Sequence, residues 1–199
     1  MGMASQSPGN SPLSTQSHLQ SATYTRTALV LHGVMALLIA WGFSVGLYMV
    51  DLPLSPLKLQ LYSYHKWAGV SVAALLVLRV VWRGWHPPPP LPGAMPRWEL
   101  SAAHASHLLL YLLMICVPVS GWLMSSAKGV TTVYFGVWAL PDAVARNEAL
   151  GSFLGALHRI LTYALLSLVV LHVAAALKHH FIDRDGVLGR MFRYKGSGP

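Results

Sequence analysis

Charge is what this sequence has least of. Asp, Glu, Lys and Arg make up 10% of its 199 residues, against about 25% in an ordinary soluble domain. Only six residues are acidic, and the apolar segments hold almost none of them. That argues against a mononuclear metal site built from clustered carboxylates. Cysteine is nearly missing too. Cys116 stands alone in an apolar run, which excludes an internal disulfide, a cysteine-ligated iron–sulfur cluster or a thiolate zinc site made by this chain alone. The first 23 residues lack the basic start and apolar stretch of a signal peptide, so no cleavage is expected. Rich in Ser, Gln, Pro and Gly, they are read as a disordered tail that cannot build a core. No internal repeat is visible.

What is present is apolar: 54% of the residues are hydrophobic. Four long apolar segments stand out, at about residues 27–50, 64–82, 102–125 and 153–177. Each is close to the roughly 20 residues that cross a bilayer as a helix. The fold class is therefore all-α, an integral membrane four-helix bundle over residues 24–182. Residues 1–23 form one tail and 183–199 a short basic one. Pro118 falls inside the third segment and is expected to kink it. Gly33, Gly42, Gly46, Gly69 and Gly121 interrupt the apolar faces and allow a helix or a flat cofactor to approach closely.

The net charge is +8. In a soluble protein this would raise nucleic-acid binding, but here the basic residues sit mostly between apolar segments. Lipid head groups and topology account for them, and no nucleic-acid partner is expected. Nine basic residues fall on the side of both termini and five on the other, which puts both termini in the cytoplasm. The run His86-Pro87-Pro88-Pro89-Pro90-Leu91-Pro92 is a stiff spacer between two segments. The loop from 127 to 152 is the longest outside the membrane. Its Tyr134, Phe135 and Trp138 argue for order, with the loop lying at the interface.

Ten histidines are many for this length. His158 and His172 are fourteen residues apart in one segment. At about 100° per residue they return to within roughly 40° of one direction, with a rise of about 21 Å. His65 matches the depth of His158, near the outer side. His32 matches His172, near the cytoplasmic side. A histidine inside a membrane helix is costly and usually marks function. Two imidazoles from facing helices can ligate one haem iron on both sides, leaving no open position, which suits electron transfer. The bundle is thus read as holding two haems, one above the other, with iron ligands His32, His65, His158 and His172. Any one of these histidines alone would more often be a hydrogen-bonded interior residue. His104 and His107, at i and i+3, share a face at the cytoplasmic depth. They are rival ligands to His32 or His172, partners of haem propionates, part of a quinone site, or ordinary interfacial residues. His179 and His180 are expected to meet head groups or propionates, and His18 and His86 are incidental.

At these residues the chain resembles the bacterial cytochrome b561 family. The matching text includes Leu31-His32-Gly33, Tyr62-Ser63-Tyr64-His65-Lys66-Trp67 and Ala103-His104-Ala105-Ser106-His107. It continues through Gly121-Trp122-Leu123-Met124-Ser125-Ser126 and His158 to His172-Val173-Ala174-Ala175-Ala176-Leu177-Lys178-His179-His180, spanning about residues 24–193. The long polar amino tail is a departure that touches none of these motifs. The resemblance implies two b-type haems held without covalent attachment, His32 pairing with His172 and His65 with His158; the lack of Cys-x-x-Cys-His agrees. One branch of the family resembles a superoxide oxidase, which takes electrons from superoxide at the periplasmic face and passes them to ubiquinone. The resemblance implies a bacterial inner-membrane location among lipids and quinone. Lys58, Lys66, Lys128 and Arg159, around His65 and His158, would then draw the superoxide anion in, or pair with propionates and head groups. The alternative is an electron relay that anchors a peripheral redox partner, a dehydrogenase or hydrogenase.

Overall fold

The computed structural model describes residues 24–88, 96–185 and Gly189. The expectations for the tail 1–23, for the second half of the polyproline run and for Arg190, Arg193 and Lys195 lie outside those residues. Four helices dominate: α1 (Arg26–Val50), α2 (Pro56–Trp85), α3 (Arg97–Ala127) and α4 (Glu148–Lys178). All four are long and apolar enough to cross a membrane. Among the described residues only eight hydrophobic side chains are buried, Met35, Leu76 and Leu165 among them. So thin a core leaves most apolar surface outward, as a bundle solvated by lipid requires. The chain is an integral membrane protein.

The helices are longer than the apolar segments. α2 has 30 residues and α3 and α4 have 31 each, about 45 Å at 1.5 Å per residue. Capping chemistry sets the added turns. Ser55 accepts from the Lys58 amide with Pro56 in the first turn, so α2 begins two turns before the apolar pattern does. Thr25 caps α1 and Asn147 caps α4 in the same way. α3 starts just after Pro96, with Glu99 in its first turn, and runs as one helix through Pro118. It stops at Gly129, whose φ of +70° is the left-handed geometry that glycine adopts freely. α4 ends in a π-helical turn, His179–Asp183.

The helices pack against one another in pairs. α3 packs most extensively on α4 and α1 on α2, with α2 against α3 between the pairs. Small residues mark two of these seams. A Cβ at Gly42 would meet Ala68 at 3.6 Å, and one at Gly69 would meet Pro118 at 3.8 Å. α1 and α4 meet through rings, Phe43 against Tyr163 with centroids 6.1 Å apart. The loop after α3 is ordered. Its strands β1 (Val133–Tyr134) and β2 (Trp138–Ala139) pair antiparallel around a turn at Phe135 and Gly136. This hairpin sits on α2: the Trp67 indole donates to the Val133 carbonyl at 2.7 Å, and Ser71 bonds the Tyr134 hydroxyl at 2.9 Å.

Candidate functional site

Two histidine pairs lie inside the bundle at two depths. At the end nearer the α1–α2 loop, His65 of α2 faces His158 of α4, with centroids 6.2 Å apart and planes at 86°. At the other end, His32 of α1 faces His172 of α4 at 6.4 Å and 64°. The spacing has a direct meaning. An imidazole centre lies roughly 1.1 Å from its nitrogens, and a metal–nitrogen bond is about 2.0 Å. Two rings on opposite sides of one iron therefore put their centroids about 6.2 Å apart. Both pairs meet this distance.

The pair at the loop end is also oriented. His65 Nδ1 is 2.8 Å from the Gly42 carbonyl oxygen, and His158 Nδ1 is 3.0 Å from that of Val117. A carbonyl only accepts, so each Nδ1 carries the proton and each Nε2 keeps a lone pair. This is how metal-binding imidazoles are usually held. Ser120 adds its hydroxyl, 3.1 Å from His158 Nδ1. Gly46 and Gly121 make room for the rings. A Cβ at Gly46 would fall 3.0 Å from His65 Cε1, and one at Gly121 would fall 3.0 Å from His158 Cε1. We therefore expect Gly46→Val or Gly121→Val to push the neighbouring ring aside and weaken the signal of any haem held between His65 and His158. A reduced-minus-oxidised absorption spectrum of the purified protein measures this.

The other pair has company. His107 of α3 lies 5.5 Å from His172, making a cluster of three imidazoles from three helices. Its neighbour in sequence, His104, is exposed and outside the ring contacts. The motif that joined His104 to His107 therefore separates into one residue in the cluster and one beside it.

The four basic residues placed around His65 and His158 have different fates. The Lys58 ammonium bonds the Val50 and Leu52 carbonyls, closing the end of α1. Lys66 donates to the Val130 carbonyl at 3.2 Å. Lys128 is exposed, with its methylenes along Gly151 of α4. Arg159 is exposed beside His158. His179, expected at head groups or propionates, instead meets Asp185 at 2.7 Å and Asp183 at 3.1 Å. Lys178 joins the same network, bonding Glu99 at 2.9 Å and Asp183 at 2.7 Å, which ties the end of α4 to the start of α3. His86, read as incidental, stacks on Trp82 at 4.1 Å. Sequence reasoning also passed over Ser120, and it used Arg79 only for topology. An arginine within the last turn of an apolar segment was the available signal for the latter.

Four spanning helices with facing histidines are the arrangement of a membrane b-type cytochrome. Residues 23–194 match the family model described as prokaryotic cytochrome b561, and the chain belongs to that family. It is 39% identical over 176 residues to cytochrome b561 homolog 2 of Escherichia coli (strain K12), covering 87% of this chain and 93% of that protein. The probable superoxide oxidase CybB of Yersinia pestis is 29% identical over 140 residues, 67% of this chain and 79% of its own length. Cytochrome b561 homolog 1 of Escherichia coli (strain K12) is 25% identical over 169 residues, 84% and 96% respectively. Membership makes the protein an electron-transferring membrane cytochrome and implies b-type haem. The residues present fit that group: imidazoles at the spacing of a shared iron, Nδ1 protons tied to carbonyls, and glycines whose Cβ would crowd the rings.

Proposed function

We propose that the chain carries electrons from superoxide on the periplasmic side to ubiquinone in the bacterial inner membrane, with both termini in the cytoplasm. The observation that carries the electron-transfer part is the pair of imidazole couples, 6.2 and 6.4 Å between centroids, at two depths of one bundle. His65 with His158 hold one haem b, and His32 with His172 hold a second. Held there, haem would supply one-electron redox chemistry. The overall reaction balances as two superoxide anions, one quinone and two protons giving two dioxygen molecules and one quinol. The likeness to a probable superoxide oxidase supports this choice of donor.

The chain's own groups have separate tasks. Lys66, Lys128 and Arg159 put positive charge at the end of the bundle that holds His65 and His158, and nearby cations raise the encounter rate of a small anion. Lys58 contributes charge from the same side while it holds the α1–α2 connection. Gly42, Val117 and Ser120 keep the two rings aligned. The apolar outer surface gives quinone and lipid access along the membrane.

Stopped-flow mixing of superoxide with purified protein and a soluble ubiquinone tests the reading. Quinol formation above the uncatalysed rate is expected. Arg159→Glu or Lys66→Glu should slow it several-fold at low ionic strength, with the difference shrinking as salt screens the charges. A protein that contains haem, ignores superoxide and co-purifies with a peripheral dehydrogenase or hydrogenase would instead be a relay and anchor.

A further inference from the structure

Arg79 is a cation built into the bundle beside the second histidine pair. It is half-buried in α2, six residues before the helix ends. Its Nη1 donates to the Ala28 carbonyl of α1 at 3.1 Å, and its Nε donates to the Tyr111 hydroxyl of α3 at 3.3 Å. Both partners lie one helical turn from a histidine of the cluster. Ala28 is four residues before His32, so its carbonyl also accepts the His32 amide of the helix ladder. Tyr111 is four residues after His107, and a helical side chain leans back toward the preceding turn. The guanidinium is thus fixed between the α1 and α3 contributions to the cluster. Trp82, one turn nearer the helix end, is pinned to Thr25 at 2.9 Å. None of the ion pairs among the described residues includes Arg79. Its charge is spent on neutral acceptors, and Arg stays charged throughout the accessible pH range.

Among the described residues, the loop-end pair has no equivalent. Lys128 and Arg159 are exposed, where water and salt screen them, and Lys66 reaches out to a loop carbonyl. Adding one electron to an iron held by two neutral imidazoles lowers the charge of that centre by one. A nearby fixed cation in a medium of low dielectric therefore favours the reduced form.

We propose that Arg79, held between Ala28 and Tyr111, is the residue that raises the reduction potential at His32 and His172 above that at His65 and His158. Electrons entering at the loop end then run toward the end that carries the termini. Arg79 touches no reacting atom in this role; it is a positioning and tuning residue. The inference rests on the two-haem reading and gives that reading a direction.

Optical redox titration of the purified, haem-loaded protein tests it. Arg79→Gln keeps hydrogen-bond donors and removes the charge. One of the two midpoints should fall, changing the reduced-to-oxidised ratio of that haem at a fixed poise on the order of tenfold, while the other stays in place. Arg79→Lys should keep most of the native value. Unchanged midpoints in Arg79→Gln, or equal shifts in Gln and Lys variants, would overturn the proposal. If Arg79→Gln does not fold, two single-haem proteins decide. The haem left in His65→Ala should have the higher midpoint and the haem left in His32→Ala the lower; the reverse order overturns the assignment. Absence of any b-type absorption would instead sink the haem reading itself.

Discussion

Replacing either His65 or His158 by Ala should remove the same single haem, leaving half of the native haem per chain. Each variant should lose the same component of the absorption spectrum, and the double variant should lose no more than either alone. The expectation follows from the geometry of a shared iron. With one ring gone, the remaining imidazole would have to hold the haem alone. Each ring is also oriented by its own carbonyl, Gly42 for His65 and Val117 for His158, so removing one does not reorient the other. Such a pairwise pattern is a non-additive loss, as for any two groups that act through one shared contact. Haem content by pyridine haemochrome, with protein by amino-acid analysis, makes the measurement. Two variants that each kept a full complement, or that lost different components, would break the pairing. Ser120→Ala should be mild by comparison. The Val117 carbonyl still accepts from His158 Nδ1 when the hydroxyl is gone, so the ring keeps its proton and its direction.

Several of these features can be read from the sequence because the bilayer makes a few choices expensive. Histidine in an apolar run stands out, and a spacing of fourteen puts His158 and His172 on one face of a helix by periodicity alone. Matching depths then paired His65 with His158 and His32 with His172, and those rings do face each other. What escaped depended on polar detail at the ends. α2 starts at Pro56 rather than near Tyr64 because Ser55 and Pro56 form a helix start that hydropathy does not register. Lys58 reads as one of the cations that draw in an anion or pair with propionates and head groups, and its ammonium also closes the end of α1 through two carbonyls. His179 looked like a head-group contact, but Asp183, one turn on, and Asp185, six residues on, take it first. The hairpin over α2 needed side chains distant in sequence, Trp67 with Val133 and Ser71 with Tyr134. No local pattern announces such contacts. Arg79 was visible as a charge in an apolar segment, but its partners on α1 and α3 required the packed bundle.

His107→Ala should leave both haems in place, while His32→Ala should abolish one. This separates the two rivals for the ring of His172. Centroid spacing is the first discriminator: His32 stands at 6.4 Å and His107 at 5.5 Å from His172. Two metal–nitrogen bonds of about 2.0 Å and two half-rings of roughly 1.1 Å require about 6.2 Å along a straight line. His32 therefore needs almost no movement. His107 would have to withdraw by well over half an ångström, on a helix packed tightly against α4. The second discriminator is how the site is assembled. α3 is the main packing partner of α4, so a side chain at position 107 lies close to His172 whether or not it ligates anything. His32 comes from α1, which reaches α4 through rings rather than through an extensive helix seam. Its approach to His172 has no such trivial cause, and a ligand role shared with His172 would give it one. His107 then keeps a role next to the centre without a bond to it, contacting the ligand ring edge-on. Its loss should alter the spectrum or the midpoint of one haem while the haem-to-protein ratio stays native. A halved ratio in His107→Ala, with a native ratio in His32→Ala, would exchange the two assignments and place the second ligand on α3.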